Sequence, residues 1–198
     1  HLYLAIEGKL AAVICVEDPL REEAADAVRE LKEAGITKVV MMTGDSERTA
    51  AAIAKRVGVD EYYSEVLPED KASFVEKEKE LGHKVIMIGD GINDSLALSS
   101  ASVGIAISDG AAIAREIADV TISADNLHEI VTLKRLSTAL MKRIHNNYRT
   151  IIGINGGLIA LGVTGIIMPT TSALLHNMST LTISLRSMRN LLPKEEEA

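Results

Sequence analysis

Apolar and polar positions follow two different rhythms along the chain, one before about residue 148 and one after it. Upstream, short apolar runs alternate with amphipathic stretches. "LYLAIEGKLAAVICV" predicts a β-hairpin turning at Glu7-Gly8-Lys9. "EDPLREEAADAVRELKEAG" has helical spacing, with Asp18 placed to cap it, Pro19 in its first turn and Gly35 to stop it. "KVVMMTGD" predicts a strand with a polar tip, "SERTAAAIAKRVG" a helix, and "PEDKASFVEKEKELG" a helix running from Pro68 to a stop at Gly82. "VIMIGDGINDSLAL" begins as a strand and ends as a helix. "VGIAI" and "DVTIS" add two strands, and a further helix starts near Asn126. Strands alternating with helices predict an α/β fold whose parallel sheet is covered on both faces.

The second rhythm is a charge-free run from Ile151 to Met168, long enough to be read as a membrane span. Pro169 breaks it, and a second span runs from about Thr171 to Leu185 and on to Leu192. Lys134, Arg135, Lys142, Arg143 and Arg149 precede the first span, and Arg186, Arg189 and Lys194 close the second, while the connecting loop is uncharged. This layout predicts a transmembrane hairpin with both ends cytoplasmic and the loop outside. Gly153 and Gly157, then Gly156, Ala160 and Thr164, recur four apart, a spacing that lets helices approach closely in lipid. A buried core hairpin is the alternative.

Composition narrows the picture. The 198 residues suit one to one and a half domains, and 47% hydrophobic residues can supply a core. A net charge of −7 argues against non-specific nucleic-acid binding. The single cysteine, Cys15, allows no disulfide or Cys-pair zinc site within the chain and reads as a buried strand residue. The chain opens on His1 with no signal peptide, as a piece of something longer would.

Candidate chemistry sits where strands should end. Ligands in parallel α/β sheets bind beyond the carboxyl ends of the strands. Thr43-Gly44-Asp45 follows one predicted strand, Asp90-Gly91-Ile92-Asn93-Asp94 follows another, and Pro68-Glu69-Asp70-Lys71 opens the helix between them. Two carboxylates four apart across a strand-to-helix turn repel unless a cation neutralises them. Oxygen ligands without nearby His or Cys suit Mg²⁺. Lys71 can offset phosphoryl charge, and the Thr43 hydroxyl and neighbouring amides can hold its oxygens. The plainer alternatives are that Asp45, Ser46 and Asp94 cap helices and that Lys71 is a solvated helix residue.

"MTGD", "PEDK" and "GDGINDSLAL", in this order and spacing, resemble the P-type ATPases, whose phosphorylation domain belongs to the haloacid dehalogenase superfamily; "EDPLR" and "ASVGIAI" fit the same domain. The resemblance implies a Rossmann-like parallel sheet followed by a two-helix transmembrane hairpin. It divides the chain into the C-terminal part of the phosphorylation domain at 1–125, a connecting helix at 126–147, two membrane helices at 148–192 and a cytoplasmic tail at 193–198. It implies that Thr43 contacts the phosphoryl group, that Lys71 neutralises it, and that Asp90 binds Mg²⁺ with Asn93 and Asp94 in support. Asp45 would organise the site near the nucleotide, and Asp18 and Arg21 would flank the hinge to a nucleotide-binding domain. ATP would be the phosphoryl donor of the complete protein. The family's phosphorylated Asp-Lys-Thr-Gly-Thr motif does not occur in the chain. The resemblance therefore implies a segment that is inactive alone, its nucleotide-binding domain and earlier membrane helices lying elsewhere. A phosphatase of the same superfamily and a regulatory pseudoenzyme segment are the competing readings.

Two terminal spans resemble the heavy-metal class, which implies an integral membrane pump of a bacterial plasma membrane that exports a transition-metal cation. Asn155 in the first span, and His176 and Asn177 in the second, are the candidate ligands, with Ser179 and Thr180 nearby. His176, Thr180 and Ser184 share one helical face. "HNMST" looks nearer to members handling cobalt, manganese or iron than to copper or zinc members. Counted from the predicted loop at about 1.5 Å per residue, Asn155 lies about 22 Å deep and His176 about 9 Å. The two are thus expected at successive points of a path rather than on one ion.

Overall fold

The computed structural model describes residues 2–6, 8–14, 20–89, 93–107, 116–122 and 126–192. The chain divides into two compact units, His1–His128 and Glu129–Ala198.

In the first unit, β1 (Leu2–Ile6) and β2 (Lys9–Ile14) form the expected antiparallel hairpin, turned by Gly8 at φ +77°, where a side chain would be strained. Helix α1 (Ala24–Glu33) begins later than the sequence suggests. Arg21, Glu22 and Glu23 have nothing apolar to bury, and the helix starts with Ala24, which with Ala27 is its buried face. The expected cap Asp18, Pro19 and Cys15 lie outside the described residues.

The remaining strands are parallel. β3 (Val40–Met42) pairs with β4 (Glu61–Tyr63), a strand the sequence reading missed. β5 (Ile86–Gly89), β6 (Val103–Ile107) and β7 (Val120–Ile122) form a second sheet in that order. The helices between them are α2 (Glu47–Val57), α3 (Pro68–Glu80) and α4 (Ser95–Ser100). Pro68 occupies the first turn of α3, where its missing N–H costs nothing, and Asp70 accepts from the Leu67 N–H at 3.3 Å. Gly35 and Gly82 close α1 and α3 in left-handed conformation, and Gly58 closes α2.

Val75 of α3, Met87 of β5, and Ala97 and Leu98 of α4 form the core, with Ala72, Val85, Ala101 and Ile117 packed around them. Burying Leu98 alone is worth about 1.5–3 kcal/mol. At Gly104 an added Cβ would lie 2.6 Å from the Leu98 carbonyl oxygen, so glycine lets α4 close onto β6.

The second unit is a helical pair. Asn126 accepts from the His128 N–H at 2.9 Å, just ahead of α5 (His128–Val163). α5 stops at Val163, short of Met168. Gly165 at φ +72°, with Gly165 N–H on Gly162 O and Ile166 N–H on Leu161 O, forms a Schellman stop. Pro169 does not break a helix; it begins α6 (Pro169–Ser187) at its first turn.

Among the described residues no helix is long and apolar enough to cross a membrane. The transmembrane hairpin expected from the sequence is therefore not confirmed by these helices. α5 ends inside the charge-free run, and α6 carries His176, Asn177 and several hydroxyls. The glycines expected at the helix contact also face elsewhere: a Cβ on Gly153, Gly156 or Gly157 would meet nothing within 4 Å.

Candidate functional site

The strand tips carry the expected clusters. At the end of β3 the Thr43 hydroxyl donates to Asp45 Oδ2 at 2.9 Å, and the Asp45 N–H donates back to Thr43 Oγ1 at 3.1 Å. Neither Asp45 nor Ser46 acts as a simple cap: α2 has Ser46 at its N-cap but no side-chain cap bond. The loop is tied to the chain leaving β4 by three backbone bonds. Thr43 N–H meets Tyr63 O at 3.0 Å, Val66 N–H meets Thr43 O at 3.0 Å, and Glu65 N–H meets Asp45 O at 2.9 Å. Glu65 stands at φ +54°, a left-handed conformation uncommon outside glycine. The segment that grips Thr43 runs directly into α3, and Lys71 lies in that helix's first turns.

Lys71 reaches across to the start of α4. Its Nζ lies 2.7 Å from Asp94 Oδ1, with the two side chains only 15% and 13% exposed. Lys71 is thus paired rather than solvated. Asp94 is the N-cap residue of α4 by position, yet its side chain makes no cap bond. Beneath it, a Cβ added to Gly89 would sit 2.5 Å from Asp94 Oδ2 and 2.8 Å from its Cβ, so the carboxylate occupies space that only glycine leaves free. The sequence reading gave Gly89 no separate role, though its place just before Asp90 was the signal. Asn93 adjoins Asp94 at the tip and is exposed.

Asp90, Gly91 and Asp18 lie outside the described residues. Arg21 lies ahead of α1, its guanidinium 4.0 Å from Glu23. What is described at the β5 tip is an oxygen-donor arrangement with no His or Cys, the donor type Mg²⁺ takes. One Asp94 oxygen is held by Lys71. Among the described residues no group of three or more His, Cys, Asp or Glu side chains could hold a metal by itself. Mg²⁺ commonly needs only one or two carboxylates besides phosphate and water.

The cleft of about 570 Å³ along β4 is a different feature, lined by Glu47, Asp60, Glu61, Tyr62, Tyr63 and Ser64. Its acids are already engaged: Glu47 accepts from Ser64 at 2.6 Å and Tyr62 at 2.7 Å, and those hydroxyls hold its carboxyl below the usual range. Such a lining repels phosphate.

In the helical pair, His176 Nδ1 and Asn155 Oδ1 lie 2.8 Å apart. The depth argument that separated them fails because α5 ends at Val163. Counted from the real helix ends, Asn155 is about 12 Å and His176 about 10 Å from the turn. An amide oxygen facing the ring accepts from Nδ1 in the tautomer that carries its hydrogen there, and that tautomer leaves the Nε2 lone pair for another partner. Ser179 and Thr180 do not bridge helices; both hydroxyls bond back to the His176 carbonyl, at 2.7 and 3.1 Å. Asn177 is exposed on α6.

Comparison with known proteins agrees with this geometry. Residues 2–102 match the haloacid dehalogenase-like hydrolase family. A copper-transporting ATPase 2 of Rhizobium meliloti is 44% identical over 174 residues, which is 88% of this chain and 21% of that protein. A manganese-exporting P-type ATPase of Mycobacterium tuberculosis is 38% identical over 189 residues, 95% of this chain and 26% of that protein. The crystal structure of a zinc-transporting PIB-type ATPase in the E2.Pi state matches with a TM-score of 0.85 and 31% identity, covering 96% of this chain and 31% of that one. The chain thus spans about a quarter of the length of the curated relatives it matches. A Rossmann-like parallel sheet, an acid–lysine pair at its strand tips and these matches lead to one conclusion: the chain belongs to the haloacid dehalogenase-like hydrolase family, and it is similar over nearly its whole length to heavy-metal P-type ATPases.

Proposed function

We propose that this chain is the phosphoryl-handling and membrane-hairpin part of an ATP-driven pump that exports a transition-metal cation through an aspartyl-phosphate intermediate. The observation that carries the reading is the Lys71–Asp94 ion pair, which joins the start of α3 to the tip of β5 over Gly89. The nucleophilic aspartate and the nucleotide-binding domain belong to other segments of the protein, because no Asp-Lys-Thr-Gly-Thr sequence occurs here. In this reading residues 1–125 complete the phosphorylation domain, 126–147 connect it, 148–192 are the membrane hairpin and 193–198 the cytoplasmic tail.

Each side chain has a task. The Thr43 hydroxyl, donated to Asp45 in this structure, would turn to a phosphoryl oxygen when phosphate is bound, with Asp45 keeping it poised until then. Lys71 balances charge on the transferring group, and Asp94 holds the Lys71 ammonium in place. Asp90 is the carboxylate that would bind Mg²⁺, with Asn93 and Asp94 in support, and Asp18 and Arg21 flank the hinge. When bound, Mg²⁺ would supply neutralisation of phosphoryl charge.

The helical pair would enter a bacterial plasma membrane as part of a larger helix assembly rather than alone. Ile151, Ile152, Ile159, Leu174, Leu181 and Leu185 are exposed, which supports an apolar surrounding, while the polar groups of α6 need protein neighbours. His176 and Asn155, with Asn177 beside them, are the proposed stations for the exported ion; imidazole and amide donors suit a borderline divalent cation better than Cu⁺. The relatives named above handle copper, manganese and zinc, so the metal is found by measurement. ATP hydrolysis by the full-length protein across a panel of Mn²⁺, Co²⁺, Fe²⁺, Zn²⁺ and Cu⁺ should rise with a divalent transition metal. Hydrolysis indifferent to every metal would overturn the reading.

A further inference from the structure

α6 ends without the glycine stop that closes α1, α2, α3 and α5; the Met188 and Arg189 N–H groups take Leu185 O and Arg186 O, and Ser187 O needs a donor from elsewhere. Arg143 of α5 supplies it and also holds the two carbonyls of the turn that follows. Its Nη1 donates to Ser187 O at 3.0 Å and to Arg189 O, and its Nη2 donates to Asn190 O at 2.8 Å. One turn further along α5, Asn147 Nδ2 donates to Ser187 Oγ at 2.7 Å, and that hydroxyl donates in turn to Ile183 O at 2.8 Å. A guanidinium fork at a helix carboxyl end satisfies the orphan carbonyls and opposes the negative end of the helix dipole.

The placement has a consequence for the other polar cross-link of the pair. Along α5, Arg143 precedes Asn155 by about 18 Å; along α6, Ser187 follows His176 by about 16 Å. The two spacings agree to within the reach of one side chain. Between the cross-links the half-buried apolar positions are Ile154 and Ile183, and aliphatic contacts of that kind tolerate sliding. The glycines of α5 offer no interlock, since Gly153, Gly156 and Gly157 face open space. A slip of one helical turn, about 5.4 Å, would carry His176 off Asn155.

We infer that Arg143 and Asn147 are positioning residues: they clamp the carboxyl end of α6 and set its register on α5, which holds His176 against Asn155. The link from register to transport rests on the reading of that pair as part of the metal path. The register itself does not.

The test is short-span thiol cross-linking in the full chain with Cys15→Ser, Asn155→Cys and His176→Cys. The cross-linked yield should be high, and adding Arg143→Gln with Asn147→Ala should lower it several-fold while circular dichroism shows helix content kept. An unchanged yield in that background overturns the clamp. If the double variant loses helix content, Ser187→Ala, which removes only the partner of Asn147, carries the test: a partial fall supports the clamp and a full yield overturns it. A second measurement keeps Asn155 and His176 native and places Arg143→Gln alone in the full-length protein. The KM for the activating metal should rise while phosphorylation by inorganic phosphate persists. A lost cross-link with unchanged metal activation would uphold the clamp and remove His176 and Asn155 from the metal path.

Discussion

At the scale of single residues, the candidate site depends on how closely Gly89, Asp94 and Lys71 fit. The Asp94 carboxylate lies over Gly89 with one oxygen on Lys71, and both charged side chains are largely withdrawn from water. A charge so placed is costly when its partner leaves, on the order of 1–3 kcal/mol for the group left unpaired. Gly89→Ala should therefore displace Asp94, lower stability by about 1–3 kcal/mol and reduce phosphorylation of the complete protein. Urea midpoints and phosphoenzyme yield check it; an unperturbed Ala variant would mean that Asp94 has room the geometry denies. Much of this was legible beforehand. Lys71 and Asp94 were expected at neighbouring tips because strand ends and helix starts can be read from apolar runs, Pro68 and glycine stops, and they meet at 2.7 Å. The withdrawal of Lys71 from solvent was not legible, since a lysine in a helix's first turns looks the same whether it faces water or a carboxylate 23 positions away.

At the scale of elements, the short parallel pieces are held by polar ties as well as by the core. Lys32 of α1 donates to Asp60 at 2.7 Å and to Gly58 O at 2.9 Å, and the Val39 N–H donates to Asp60 at 2.7 Å, so one carboxylate gathers α1, the end of α2 and the start of β3. The Lys32 hydrogen bond first, then the Val39 amide, holds the Asp60 carboxyl below its ordinary value. A group with a depressed folded pKa lends stability above its unfolded pKa and loses it as pH falls through the folded one. Acid should thus weaken the first unit below about pH 4. Asp60→Asn should be less stable at neutral pH and should show a shallower acid decline, with Glu47 and Glu61 supplying the remainder. Thermal melts between neutral and acid pH read this directly, and an unchanged slope in the variant would remove Asp60 from the account. Some element boundaries were legible from glycine or proline, among them Pro68 at the start of α3 and Gly35 and Gly82 at the ends of α1 and α3, while Pro19 and Pro169 misled. β4 was missed because three residues are too few for a periodic signal, and the α5 stop was assigned to Pro169 because the Schellman role of Gly165 is a matter of φ, not of hydropathy.

At the scale of the whole molecule, two units with different chemistry share one chain: a parallel α/β unit with charge gathered at its strand tips, and a helical pair with polar cross-links between apolar outer surfaces. The charge-free run to Met168 predicted one long span and the stretch after Pro169 a second, yet hydropathy cannot show where a helix ends or which polar groups a neighbour covers. The meeting of Asn155 and His176 was hidden for that reason. The central claim is that Lys71 and Asp90 serve one phosphoryl site in a metal-dependent pump. Its most direct test is phosphoenzyme formed from radiolabelled ATP by the full-length protein with Mg²⁺ and the activating metal, comparing the unaltered protein with Lys71→Ala and Asp90→Asn. The account predicts an acid-stable, hydroxylamine-sensitive phosphoenzyme in the unaltered protein and its near-complete loss in both variants; normal phosphoenzyme levels in either variant would contradict it.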